Sequence, residues 1–213
     1  MNRLRIRFKR GDELKFISHL DIIRVWQRAF RRAGVELAYS EGFNPHPKLS
    51  LAAPLALGVT GGAELMDVYT VKPMSGQAFG AMVAPQLPAG LEIAQVLAMP
   101  LDAPALQAQV RFAEFEVRVS SPDPEILKDS LDKLLEAESF PWQHQRDTGV
   151  KSYDLRKLID SLLIIASDDG QAVIGMRLRC DSEGAGRPEQ VVKALGLEEL
   201  LSVHRTRLII QAG

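Results

Sequence analysis

His19, His46 and Lys48 are the side chains of this sequence best suited to moving a proton or steadying a developing charge, and all three fall in its first quarter. An imidazole changes charge near neutrality and works as a general acid or base. His19 stands in Phe16-Ile17-Ser18-His19-Leu20-Asp21. His46 is held between Pro45 and Pro47 and lies two residues before Lys48, in Gly42-Phe43-Asn44-Pro45-His46-Pro47-Lys48. A stiffened loop that presents an imidazole beside an ammonium suits recognition of an anion. The plainer accounts make His19 a fixture of a helix cap and leave the loop to be packed by Phe43 and Asn44. His144 and His204 are isolated in sequence.

The same end of the chain is basic. Residues 1–50 hold eleven Lys or Arg against five Asp or Glu, a balance of +6, and the rest of the chain carries 15 against 22, or -7, for a net -1. Arg24, Arg28, Arg31 and Arg32 fall at i, i+4, i+7 and i+8, on one side of a helix. Arg3, Arg5, Arg7 and Lys9 alternate with Leu4, Ile6 and Phe8, as on one face of a half-buried strand. Together these cations are expected to form one basic face for phosphates. RNA is the expected polyanion, because no recognition-helix or zinc-finger pattern of a duplex-DNA reader is present. Arg187, in Gly184-Ala185-Gly186-Arg187-Pro188, opens a predicted helix where backbone N–H groups can meet a phosphate. That loop lacks the Lys-Ser/Thr of a nucleotide hydrolase and the spacing of a dinucleotide site. The competing reading of all these cations is a solvated surface.

Other chemistries are excluded or disfavoured. A single cysteine, Cys180, permits neither an internal disulfide nor an iron–sulfur cluster built from this chain alone, and it is expected to be a buried, inert thiol. His19 and Asp21 do not face the same way on a helix, and no spacing of His, Cys and carboxylates reads as a metal site, so no cofactor is expected in this chain. No apolar leader follows the N-terminal residues and no apolar run reaches the roughly 18 residues of a membrane span, so no membrane partner and a cytoplasmic location are expected.

The elements that must position these groups follow from periodicity. A strand over 3–9 is followed by a turn at 10–13. Ser18 with Asp21 three residues on resembles a capping box, so a helix starts near His19, buries Leu20, Ile23, Trp26 or Gln27, and Phe30, and stops at Gly34. Strands over 50–57 and 65–71 are joined by a glycine-rich turn at 58–62; a helix over 75–87 and a strand over 91–98 complete the unit. Met99 to Pro104 reads as a linker. The second half repeats the order, with strands over 110–119, 161–167, 173–180 and 202–210, helices over 124–137 and 188–195, and a long insertion over 140–159 that holds Trp142, His144, Lys151, Tyr153, Arg156 and Lys157. The fold class is therefore α+β, two tandem ferredoxin-like (split βαβ) sandwiches over 1–100 and 105–213.

Phe16 to Asp21, Arg31-Arg32-Ala33-Gly34, and Tyr39 to Ser50 resemble the radical-SAM-linked family, a bacterial domain often fused to, or encoded beside, a radical SAM protein. The likeness is strong over about the first 120 residues and looser through Asp154-Leu155-Arg156 and Arg187-Pro188-Glu189. It implies a radical SAM partner that would supply iron–sulfur chemistry. The tandem order also looks like that of the CRISPR repeat-processing endoribonucleases, whose catalytic histidine can lie near the first helix, as His19 does here. The leading expectation is a noncatalytic module that binds or presents RNA to a radical SAM enzyme, with Arg24, Arg28, Arg31, Arg32 and Arg187 on phosphates and His46 and Lys48 in closer recognition. The alternatives are a metal-independent endoribonuclease using His19 or His46 with Lys48, and a protein-interaction domain without RNA affinity.

Overall fold

In the computed structural model, which describes residues 1–120, 123–146 and 149–211, the alternating N-terminal segment is strand β1 (Asn2–Arg10). The chain is α+β and divides into two units, Met1–Val110 together with Ile210–Gly213, and Arg111–Ile209. Unit 1 continues with α1 (His19–Arg32), β2 (Leu49–Leu51), β3 (Val59–Thr70), α2 (Gly76–Val83), β4 (Leu91–Met99) and the short α3 (Leu106–Gln109). Its strands lie in the order β4-β1-β3-β2, each pair antiparallel, with Leu4 opposite Val68 and Ile6 opposite Met66. The apolar face of β1 meets α1 through a run of aromatic rings. Phe8 meets Trp26 edge-on at 5.1 Å, Trp26 stacks on Phe30 at 5.5 Å, and Phe30 touches Phe79 of α2 at 5.6 Å.

Three details depart from the sequence reading. Helix α1 buries Ile22, Trp26, Ala29 and Phe30, whereas Leu20 is exposed and Ile23 only half-buried. Both sets satisfy helical spacing, and the aromatic contacts with Phe8 and Phe79 select the first. The expected strand over 50–57 ends at Leu51, before Ala52-Ala53-Pro54, and of the expected glycine-rich turn only Gly58 stays in a turn, residues 59–62 lying inside the twelve-residue β3. Finally, the segment after Met99 does not run free. Its carbonyls at Ala103 and Pro104 accept from Arg3 at 2.5 and 2.7 Å, and Gln109 accepts from Arg5 at 3.1 Å.

Unit 2 comprises β5 (Val110–Ser120), α4 (Pro124–Glu136), β6 (Pro141–Arg146), β7 (Gly149–Asp154), β8 (Ile159–Asp168), β9 (Gln171–Asp181), β10 (Gly184–Ala185), α5 (Pro188–Ala194) and β11 (Leu200–Ile210). Here the strand order is β8-β9-β5-β11, with β10 also on β9. The long insertion is a two-stranded ribbon, β6 paired with β7. Its base is pinned by Asp154, whose carboxylate accepts from the N–H of Phe140 at 2.8 Å and of Arg156 at 3.0 Å. Arg156 in turn donates to the carbonyls of Leu135 and Ile159, and Leu155 between them is fully buried. The Asp154-Leu155-Arg156 stretch thus anchors the ribbon.

Candidate nucleic-acid interface

Ser18 starts α1 in extended backbone conformation, and its Oγ accepts from the Asp21 N–H at 3.2 Å. The Asp21 carboxylate answers by accepting from the Ser18 hydroxyl at 2.7 Å and from Arg24 at 2.8 Å. These two bonds, Ser18 first, hold the Asp21 carboxyl below the usual carboxylate range. At the other end Gly34 takes φ +70, its N–H donates to the Arg31 carbonyl, and the Val35 N–H donates to Phe30. This is the paired bonding of a Schellman ending, and it turns the chain back along the helix.

A groove of about 480 Å³ results, lined on the helix by Arg24, Gln27, Arg28 and Arg31 and on the returning chain by Val35, Leu37, Tyr39 and Pro47. Its one lining carboxylate, Glu36, pairs with Lys72 at 3.3 Å, and Arg24 keeps its pair with Asp21. Arg28 and Arg31 have no ion-pair partner among the described residues, so the groove carries surplus positive charge beside an aromatic ring. Beyond it, residues 39–47 form a hairpin-like loop. Tyr39 bridges to Pro47, the Ser40 N–H donates to the His46 carbonyl at 2.8 Å, and the His46 N–H donates to Ser40 Oγ at 2.9 Å. At the tip Phe43 is wholly exposed, and Tyr39 and Phe16 are exposed as well. The plainer account, in which Phe43 packs the loop, is not met, and none of these three rings is among the candidates drawn from the sequence.

The predicted site residues separate. Arg24, Arg28 and Arg31 share the groove, but Arg32 turns away and donates to the Gln86 carbonyl. Lys48 belongs to the edge of the sheet, its N–H bonded to the Ala38 carbonyl and its own carbonyl to the Tyr69 N–H, and His46 sits exposed in the loop. His19 is the first residue of α1 and half-buried; neither His19, His46 nor Lys48 lines the groove. Arg187 is in unit 2. The expectation that Arg3 and Arg5 join a basic face is overturned, since both are buried against Asp67, while Arg7 and Lys9 are exposed beside Gln95 and Glu92. Alternation puts all four on the sheet face opposite α1, which packs on Phe8, so strand and helix cations are not contiguous. Cys180 is half-buried. Among the described residues, no group of three His, Cys, Asp or Glu is able to hold a metal, and no helix is long and apolar enough to cross a membrane.

Among solved structures, a chain of a "Cbf5-Nop10-Gar1 Complex" superposes with a TM-score of 0.52 at 9% identity, over 98% of this chain and 50% of that one. Chains from an archaeal box H/ACA sRNP Nop10-Cbf5 complex and from an H/ACA RNP bound to a substrate RNA containing 2'-deoxyuridine each give 0.47 at 11% identity, over 98% and 97% of this chain and 49% of theirs. This chain spans about half the length of these chains, and at such identities the likeness is one of fold. No curated protein matches the sequence. One family model, described as "Uncharacterized protein conserved in bacteria (DUF2344)", matches residues 3–188.

Proposed function

The chain belongs to that DUF2344 family of bacterial proteins, and from this premise we propose that it is a noncatalytic RNA-binding module whose α1 groove holds single-stranded RNA for a radical SAM enzyme. The observation that carries the reading is the groove itself, where Arg24, Arg28 and Arg31 line one wall and Tyr39 the other, with Phe43 and Phe16 exposed nearby. Guanidinium groups take phosphates in bidentate fashion, and exposed rings stack on unpaired bases. A duplex would leave those rings without partners. The radical SAM partner rests on the resemblance of Phe16 to Asp21 and Tyr39 to Ser50, stretches that the fold gathers around α1. We also read each unit as a ferredoxin-like sandwich, from the strand orders β4-β1-β3-β2 and β8-β9-β5-β11. The fold likeness to a chain of a Cbf5-Nop10-Gar1 complex accords with an RNA-related role, although a shared fold alone fixes no function.

The test is binding to a labelled pool of total cellular RNA as salt is raised fourfold from low ionic strength. Three phosphate contacts on a single strand give a log–log slope of about -2 and a loss of roughly 20-fold over that range. Arg24→Glu, Arg28→Glu and Arg31→Glu combined are expected to abolish the salt-sensitive binding. Arg32→Ala, which removes a side chain committed to Gln86, is expected to leave affinity within about twofold. Native protein that binds no RNA at low salt would end the RNA reading, and metal-independent cleavage lost with His19→Ala or His46→Ala would replace it with the endoribonuclease.

A further inference from the structure

Unit 2 holds a separate cleft, and we propose that it binds a phosphomonoester carried on a nucleoside-sized group. The cleft encloses about 400 Å³ and is lined by His144, Lys151, Tyr153, Lys157, Arg187 and Gln190, with Arg179 and the carboxylates Asp154 and Glu183 among its further residues. The cations are unequally committed. Arg179 is taken up by Asp181 at 2.8 Å and by Glu183. Lys157 approaches Asp154 only to 4.0 Å, and that carboxylate already accepts two backbone N–H groups. Arg187 approaches Glu189 only to 3.9 Å. Lys151 stands 6.0 Å from the Tyr153 ring and opposite His144 in the ribbon.

Three weakly paired cations therefore converge on one cavity, which is the arrangement a phosphate dianion completes. Two further groups extend recognition beyond the phosphate. Tyr153 contributes a flat ring. Gln190 is only 4% exposed, and its Oε1 accepts from the Tyr153 hydroxyl, which leaves its amide nitrogen as the donor of that side chain. The volume is that of a small-molecule site, large enough for one nucleotide and too small for a run of strand. The same chemistry is offered by a free mononucleotide and by the phosphorylated end of a strand. The proposal concerns a different unit from the α1 groove and stands whether or not that groove binds RNA.

The full chain would be titrated by calorimetry at low salt with adenosine 5′-monophosphate, adenosine, inorganic phosphate, and a short oligoribonucleotide with and without a 5′-phosphate. Saturable binding of the monophosphate, tighter than either adenosine or inorganic phosphate, is expected. Lys157→Ala and Arg187→Ala should each weaken it about tenfold, as loss of one charge-assisted bond requires. Their side chains are 77% and 47% exposed, so both variants should fold, which circular dichroism checks. Lys133→Ala, on α4 and outside the cleft lining, should leave it unchanged. Preference for the phosphorylated oligomer over both the unphosphorylated oligomer and the monophosphate assigns a strand end, and preference for the monophosphate over the phosphorylated oligomer assigns a free nucleotide. Absence of saturable binding by any phosphomonoester, or equal binding by the native chain and both folded variants, overturns the proposal.

Discussion

Asp67→Asn tests the claim that the β1 arginines serve the fold. Asp67 is 1% exposed and sits opposite Arg5 in the β1–β3 register, with Arg3 two residues along on the same face. Its carboxylate accepts from Arg3 Nε at 2.9 Å and Nη2 at 2.6 Å, and from Arg5 Nε at 2.8 Å and Nη2 at 3.0 Å. One anion therefore serves two cations that are themselves 1% and 6% exposed. Removing the charge leaves both guanidiniums buried without a counterion, and breaking a buried pair from one side costs about 3–5 kcal/mol. Arg3 keeps the carbonyls of Ala103 and Pro104, and Arg5 keeps Gln109, which holds the cost near the middle of that range rather than doubling it. Against a total of about 5–15 kcal/mol, a loss of about 4 kcal/mol is severe. Replacing all three by Met, Met and Leu removes the buried charge altogether but also the donors to Ala103, Pro104 and Gln109, so it is expected to cost less than Asp67→Asn. The assay is urea unfolding followed by Trp26 fluorescence in a Trp142→Phe background, so that the signal reports unit 1. A shift below about 1 kcal/mol for Asp67→Asn, or weakened RNA binding by the folded triple variant, would refute the reasoning.

Three other outcomes follow from the same geometry. Because the Asp21 carboxyl is depressed in the folded chain, its contribution is present above the unfolded value near ~3.9 and is lost as pH falls through the folded one. Carboxyl NMR titration should show Asp21 moving up in Ser18→Ala, and by less in Arg24→Ala. The buried indole N–H of Trp26 meets no acceptor among the described residues, so Trp26→Phe gives up volume without breaking a hydrogen bond to them. Thermal unfolding should record about 1–2 kcal/mol for it, against about 3–5 kcal/mol for Trp26→Ala. A Cβ on Gly76 would overlap the backbone carbonyl of Val96, so α2 would have to lift off β4. Gly76→Ala is therefore expected to cost about 1–3 kcal/mol in the same experiment.

Local order alone determined much of this protein. Ser18 and Gly34 mark the two ends of α1 because a side-chain oxygen and a left-handed backbone satisfy the orphan groups of a helix without help from elsewhere. The spacing of Arg24, Arg28 and Arg31 likewise placed three cations on one side of that helix, since helical geometry is set by the backbone. What covers a face is not local. Arg3 and Arg5 alternate with apolar residues as exposed cations do, yet Asp67 and the carbonyls of Ala103 and Pro104, far along the chain, bury them. Arg32 is one residue from Arg31 but is drawn off by Gln86, and Lys48 is absorbed into the sheet edge beside Ala38 and Tyr69. The cleft of unit 2 joins a ribbon, the end of β9 and the start of α5, stretches whose separate sequences carry no sign that they meet. Periodicity says which side chains share a face; only tertiary contact decides whether that face sees water, a carboxylate or a ligand.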